Sequence, residues 1–138
     1  MAEQHPAVVV DTNVFVAAGF NPRSASARVV AAVRQGKLRM IWNVATRNET
    51  RGVLRTIPPL SWESVANLFR DEDCHTAPTD PRRVEHIRDP ADRKFAALAR
   101  ATGALLISQD EHLLAEPERM DVLVLSPREF TVGSWMPR

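Results

Sequence analysis

Residues 7–13 read Ala-Val-Val-Val-Asp-Thr-Asn, and the reading of this segment decides the fold. Val8, Val9 and Val10 form a β-branched run with no polar face, the pattern of a strand buried on both sides in a parallel sheet. The run stops at Asp11, so the strand's carboxyl end carries an acid.

A parallel strand needs a crossover to its neighbour, and the sequence downstream supplies them. Ser24 is placed to cap a helix through Val29, Val30 and Val33, Gly36 to end it, and Leu38–Trp42 reads as the second strand. The pattern from Asn43 to Thr56 is helical until Pro58 and Pro59. Ser61 then heads a further predicted helix with Trp62, Val65, Leu68 and Phe69 on its apolar side. Cys74–Ala77 reads as a short strand and Pro78–Arg88 as an irregular connection. Asp89, Pro90 and Asp92 give a cap, a proline in the first turn and an acid near the helix dipole, and Gly103 closes that helix. Ala104–Ser108 is a buried strand leading to Asp110, which can itself cap a short helix holding Leu113 and Leu114. Val122–Leu125 is the last strand, followed by the capping sequence Ser126-Pro127-Arg128-Glu129. The alternation predicts an α/β domain with a mostly parallel sheet and helices on both faces.

At 138 residues the chain is expected to form a single domain, residues 1–138, with a core that needs no disulfide. Residues 1–6 carry Glu3 and no basic cluster, and the apolar stretch 7–20 is broken by Asp11, Thr12 and Asn13. Neither a secretory signal nor a membrane span is expected. The lone Cys74 is compatible with a reducing cytoplasm and excludes an internal disulfide. A net charge of +1 gives no whole-molecule attraction to nucleic acid, so such affinity has to be local.

Four acids carry the functional argument, each with a plainer alternative. Asp11 and Asp110 follow strands, where ligands of open parallel sheets bind, yet either could brace a turn or cap a helix. Asp92 could serve the helix dipole, but its angular position over Ala96 and Ala99 lets it point inward. Glu49 is predicted to share a face with Ala45, Gly52 and Val53, opposite Arg47, Arg51 and Arg55; the alternative is a solvated glutamate. Gathered together, four carboxylates repel one another and resist ionising, a cost that a divalent cation removes. Oxygen donors without histidine or thiolate suit Mg²⁺ or Mn²⁺ completed by a substrate phosphate, which points to phosphodiester hydrolysis by activated water.

The segments Val8–Asn13 (VVVDTN), Glu49, Asp89–Ala99 (DPADRKFAALA), Leu105–Leu114 (LLISQDEHLL) and the terminal SPREF resemble, in order and spacing, the PIN-domain family of ribonucleases. The likeness covers almost the whole chain and is strongest to the bacterial, VapC-like branch of toxin components of toxin–antitoxin pairs. It implies a three-layer α/β/α sandwich and an Mg²⁺- or Mn²⁺-dependent endoribonuclease. The acidic quartet falls on Asp11, Glu49, Asp92 and Asp110, with Asn13 and Ser108 in supporting positions and Asp89 as an extra acid or a cap. The polar setting of Glu49, Thr46-Arg47-Asn48-Glu49-Thr50, departs from the apolar run usual there.

Arg47, Arg51 and Arg55 are candidates for RNA phosphates, with a solvated helix face as the alternative. The partners expected are an RNA substrate and a cognate antitoxin, and a homodimer is the default small assembly. His5, His75, His86 and His112 read as scattered surface histidines, and Trp42, Trp62 and Trp135 as core or interface residues. Two other functions fit parts of the pattern. One is a haloacid-dehalogenase-type phosphatase using Asp11, whose second acid is replaced by Asn13. The other is a catalytically silent module that binds RNA or protein, its acids serving as caps.

Overall fold

The computed structural model describes residues 5–85, 87, 89–110 and 121–137. The helix expected around Leu113 and Leu114, and His86 and His112, lie outside the described residues.

Among the described residues four strands, β1 (Ala7–Val10), β2 (Arg39–Met40), β3 (Leu105–Ile107) and β4 (Val124–Leu125), form one sheet in the order β2-β1-β3-β4. All the pairings are parallel, as the β-branched run at residues 8–10 predicts. Alternation along β1 divides the core. Val8 and Val10 face a cluster built with Val14 and Phe15, Val29 and Val33, Leu54 and Phe130. Val9 faces the opposite cluster with Phe95, Leu98, Leu106 and Val124. Helices α1 (Thr12–Phe20), α2 (Ala25–Arg34), α3 (Val44–Arg55) and α5 (Pro127–Val132) contribute to the first side, and α4 (Pro90–Thr102) covers the second. The result is the three-layer α/β/α sandwich.

Local chemistry explains most helix ends. Ser24 accepts from Ala27 N–H, and Asn43 forms a reciprocal box with Thr46. Asp89 accepts from Ala91 N–H ahead of Pro90, and Ser126 forms a box with Glu129. Gly103 closes α4 at φ 70°, a left-handed conformation that a side chain would strain.

Two expectations need correction, and one helix was not anticipated. The segment after Asp11 is helical (α1), a helix its composition conceals because VFVAAGF is apolar on nearly every side. No α-helix follows Ser61: the chain makes turns and a 3₁₀ stretch, Ala66–Leu68, while Trp62, Val65, Leu68 and Phe69 are buried nonetheless. Phe69 stacks at 5.9 Å from Phe15 and packs against Trp42 and Trp62 at 5.8 and 5.2 Å, so tertiary aromatic contacts override the helical spacing. Cys74–Ala77 contributes only an isolated parallel bridge, Trp42 to Cys74. Trp135, in contrast to Trp42 and Trp62, is 43% exposed.

Candidate acidic site

Register places the first components. Val10 pairs with Ile107, so Asp11 and Ser108 leave the sheet side by side, and Asp11 N–H donates to Ile107 O at 3.0 Å. Ser108 Oγ, fully buried, donates to Asp11 Oδ2 at 2.8 Å and accepts from Asp110 N–H at 3.0 Å. Asn13 Nδ2 lies 3.5 Å from both Asp11 Oδ2 and Ser108 Oγ, while its Oδ1 accepts from Gln109 N–H at 3.1 Å. Asn13 and Ser108 therefore join the two strand exits into one bracket that aims Asp11 and fixes the backbone of Asp110.

Asp92 arrives from the other layer. The short connection at Gly103 and Ala104 puts the carboxyl end of α4 at the amino end of β3, so the first turn of α4 lies at the sheet's carboxyl edge. There the side chain of Asp92 meets that of Asp110 in a hydrogen bond that favours the protonated form of Asp92. Burial, this bond, and the charges of Asp11, Asp110 and Asp89 push Asp92 from 3.8 up to about 8. Asp11, 3% exposed, is pushed up to about 6 by burial, against the lowering effect of the Ser108 and Thr12 hydrogen bonds and with further raising by Asp110 and Asp89. The structure thus brings Asp11, Asp92, Asp110 and Asp89 into one mutually repelling group, in which Asp89 also caps α4.

Glu49 is held differently. The inward face of α3 is Thr46, Thr50 and Leu54, not the predicted Ala45–Gly52–Val53 stripe; Ala45 and Gly52 are exposed. Buried Thr50 Oγ1 bonds Thr12 Oγ1 at 2.8 Å, tying the residue after Glu49 to the residue after Asp11. The Glu49 carboxylate lies 4.0 Å from Lys94 Nζ on α4. The arginine stripe meets the segment after Ser61: Arg47 sits over the Trp62 ring at 5.2 Å and Arg55 is 3.8 Å from Glu63. His75 is not a simple surface residue, for its Nε2 is buried without a hydrogen-bond partner.

The donor set suits a hard cation: the atoms that converge are carboxylate oxygens, and their burial and mutual repulsion are what a divalent charge relieves. Among the described residues no group of three or more His, Cys, Asp or Glu side chains forms a ready-made cage. A cavity of about 480 Å³ lies at the opposite edge of the sheet, between Pro6, Gly103, Ala104 and Trp135, and no member of the acidic group lines it.

Sequence reasoning missed Thr12, Thr50, Ser26 and Lys94. Gln109 donates to Ser26 Oγ at 2.7 Å, which adds α2 to the bracket. Only the repeat of Thr46, Thr50 and Leu54 at helical spacing hinted at the true inward face of α3. Among the described residues no helix is long and apolar enough to cross a membrane.

No curated protein sequence matches the chain. Among solved structures it is similar to a chain of "Structure of FitAB bound to IR36 DNA fragment", with 16% identity, a TM-score of 0.55, and 87% of this chain and 94% of that chain covered. At that identity the likeness concerns the fold. The family profile described as PIN domain matches residues 7–112, well over half of the sequence. On that match the chain belongs to the PIN-domain family.

Proposed function

We propose that this protein is an Mg²⁺- or Mn²⁺-dependent endoribonuclease, the toxin component of a toxin–antitoxin pair acting in the cytoplasm. The observation that carries the reading is the convergence of Asp11, Asp92 and Asp110 at the carboxyl edge of the parallel sheet, with Asp11 and Asp92 raised by burial and like charge. Membership in the PIN-domain family, whose members are generally nucleases, supports it.

In this reading Asp11, Asp92 and Asp110 hold the cation, with Glu49 as the fourth acid. A bound divalent cation supplies positive charge to the scissile phosphate and lowers the pKa of water. The residues of the chain prepare for it. Asn13 and Ser108 orient Asp11, and Ser108 fixes the Asp110 backbone. Asp92, raised by burial, by its bond to Asp110 and by the neighbouring acids, would be drawn into its carboxylate form by a bound cation. Asp89 sets the first turn of α4. The reading also entails a cognate antitoxin as partner, a homodimer as the default assembly, and a supporting role for Arg47, Arg51 and Arg55 in holding RNA outside the acid group.

The test is cleavage of a mixed single-stranded RNA pool by antitoxin-free protein with and without Mn²⁺, beside Asp110→Asn of verified fold. Mn²⁺-dependent cleavage lost in the variant supports the proposal. Cleavage that persists in EDTA, or in the variant, contradicts it; RNA retention without cleavage favours the binding module.

A further inference from the structure

Lys94 stands where two regions meet. It lies on α4 two residues beyond Asp92, with its Nζ 4.0 Å from Glu49 Oε1 and the two side chains 42% and 25% exposed. The same lysine lines a cleft of about 300 Å³ between the first turns of α3 and α4, beside Asn43, Ala45, Thr79 and Arg93. Asn43, Ala45 and Thr79 also line an adjoining cleft of about 360 Å³ that continues to Cys74 and His75. The two clefts form an open trough that leads away from Lys94 past the start of α3.

An ion pair at this distance and exposure is a loose tether, and a lysine is a point charge on a four-carbon stem that can turn to another anion. In the absence of a divalent cation, the ammonium offsets part of the negative charge around Glu49. When a cation takes up that charge, Lys94 loses its reason to stay. A phosphate of a strand lying in the trough that Lys94 lines would then be the anion within its reach.

We propose that Lys94 is an exchangeable counter-cation: it rests on Glu49 without metal, and transfers to a backbone phosphate of single-stranded RNA in the α3–α4 trough once metal is bound. The inference rests on the nuclease reading above and names a residue that positions its substrate. Lys94 touches no reacting atom.

Two readouts move in opposite directions. Lys94→Met, with folding checked by circular dichroism, is expected to bind Mn²⁺ about two- to fivefold more tightly in calorimetry, since a competing charge is gone. The same variant is expected to bind a fluorescein-labelled single-stranded oligoribonucleotide more weakly when Ca²⁺ replaces the active metal. Its slope of log affinity against log salt falls by about 0.7, the loss of one phosphate contact. Lys94→Arg restores the slope. Unchanged RNA affinity and slope, or weaker binding of both Mn²⁺ and RNA, overturns the proposal. If the unmodified protein takes up Mn²⁺ and Asp92→Asn does not, a null result with Lys94→Met condemns only the exchange. If the unmodified protein takes up no Mn²⁺, the nuclease reading falls first and the exchange with it.

Discussion

Asp11 sets the charge of the site against the stability of the metal-free protein. Its carboxyl titrates near 3.8 when unfolded and about 6 when folded, so the folded state keeps a proton that the unfolded state releases. The resulting destabilisation is absent below about pH 4, grows as pH rises, and is complete above about pH 6; Asp92, raised to about 8, extends the loss upward. Metal-free protein should therefore lose thermal stability from pH 4 to pH 8. Asp11→Asn removes its own share and is expected to be more stable than the parent at pH 8, by at most about 3 kcal/mol, with no gain at pH 4. Thermal unfolding in EDTA across that range checks this, and a variant less stable at pH 8 refutes it. Ser108→Ala has the opposite sign. It strips a donor from Asp11 and an acceptor from Asp110 N–H at a fully buried position, and should cost about 1–3 kcal/mol by denaturant unfolding while weakening Mn²⁺ uptake.

Between elements, the bond of Thr12 to Thr50 fastens α1 to α3 and so sets where Glu49 stands. Thr50→Val leaves the Thr12 hydroxyl buried without its partner and should cost about 1–2 kcal/mol, whereas Thr12→Val with Thr50→Val should be close to neutral. Denaturant titrations of the three variants close this cycle; additive losses would mean the two hydroxyls do not act as a pair. Gly103→Ala places a side chain at φ 70° and should cost about 1 kcal/mol through the end of α4. These elements also show what a sequence conceals. The α4 boundaries were legible because Asp89, Pro90 and Gly103 each act locally. α1 was not, because a helix covered on several sides loses its polar face, and with it the periodicity that reveals helices. The segment after Ser61 has that periodicity and still forms no α-helix, for its aromatic residues are held by Phe15 and Trp42 from elsewhere in the chain.

For the molecule as a whole, the parallel sheet was legible in Val8–Val10 and in the alternation of strands and helices. The strand exits at Asp11 and Asp110 located the acids before any geometry was known. What stayed hidden was relational: the Asn13–Ser108 bracket, the bond between Asp92 and Asp110, and the turn of α3 that buries Thr50 and leaves Glu49 against Lys94. Each depends on contacts between residues more than thirty positions apart, or on layers of the sandwich, which no local pattern encodes. On the proposed reading, the acidic group takes a divalent cation in place of protons. Calorimetric titration of antitoxin-free protein with Mn²⁺ at pH 7, in two buffers of different ionisation enthalpy, measures binding and proton release together, with Asp92→Asn as control. Saturable binding, a heat that differs between buffers because Asp92 gives up its proton, and loss of both in the folded variant are the predicted result. An unmodified protein that takes up no Mn²⁺, or binds it undiminished after Asp92→Asn, would rule out divalent-cation binding by this acidic group.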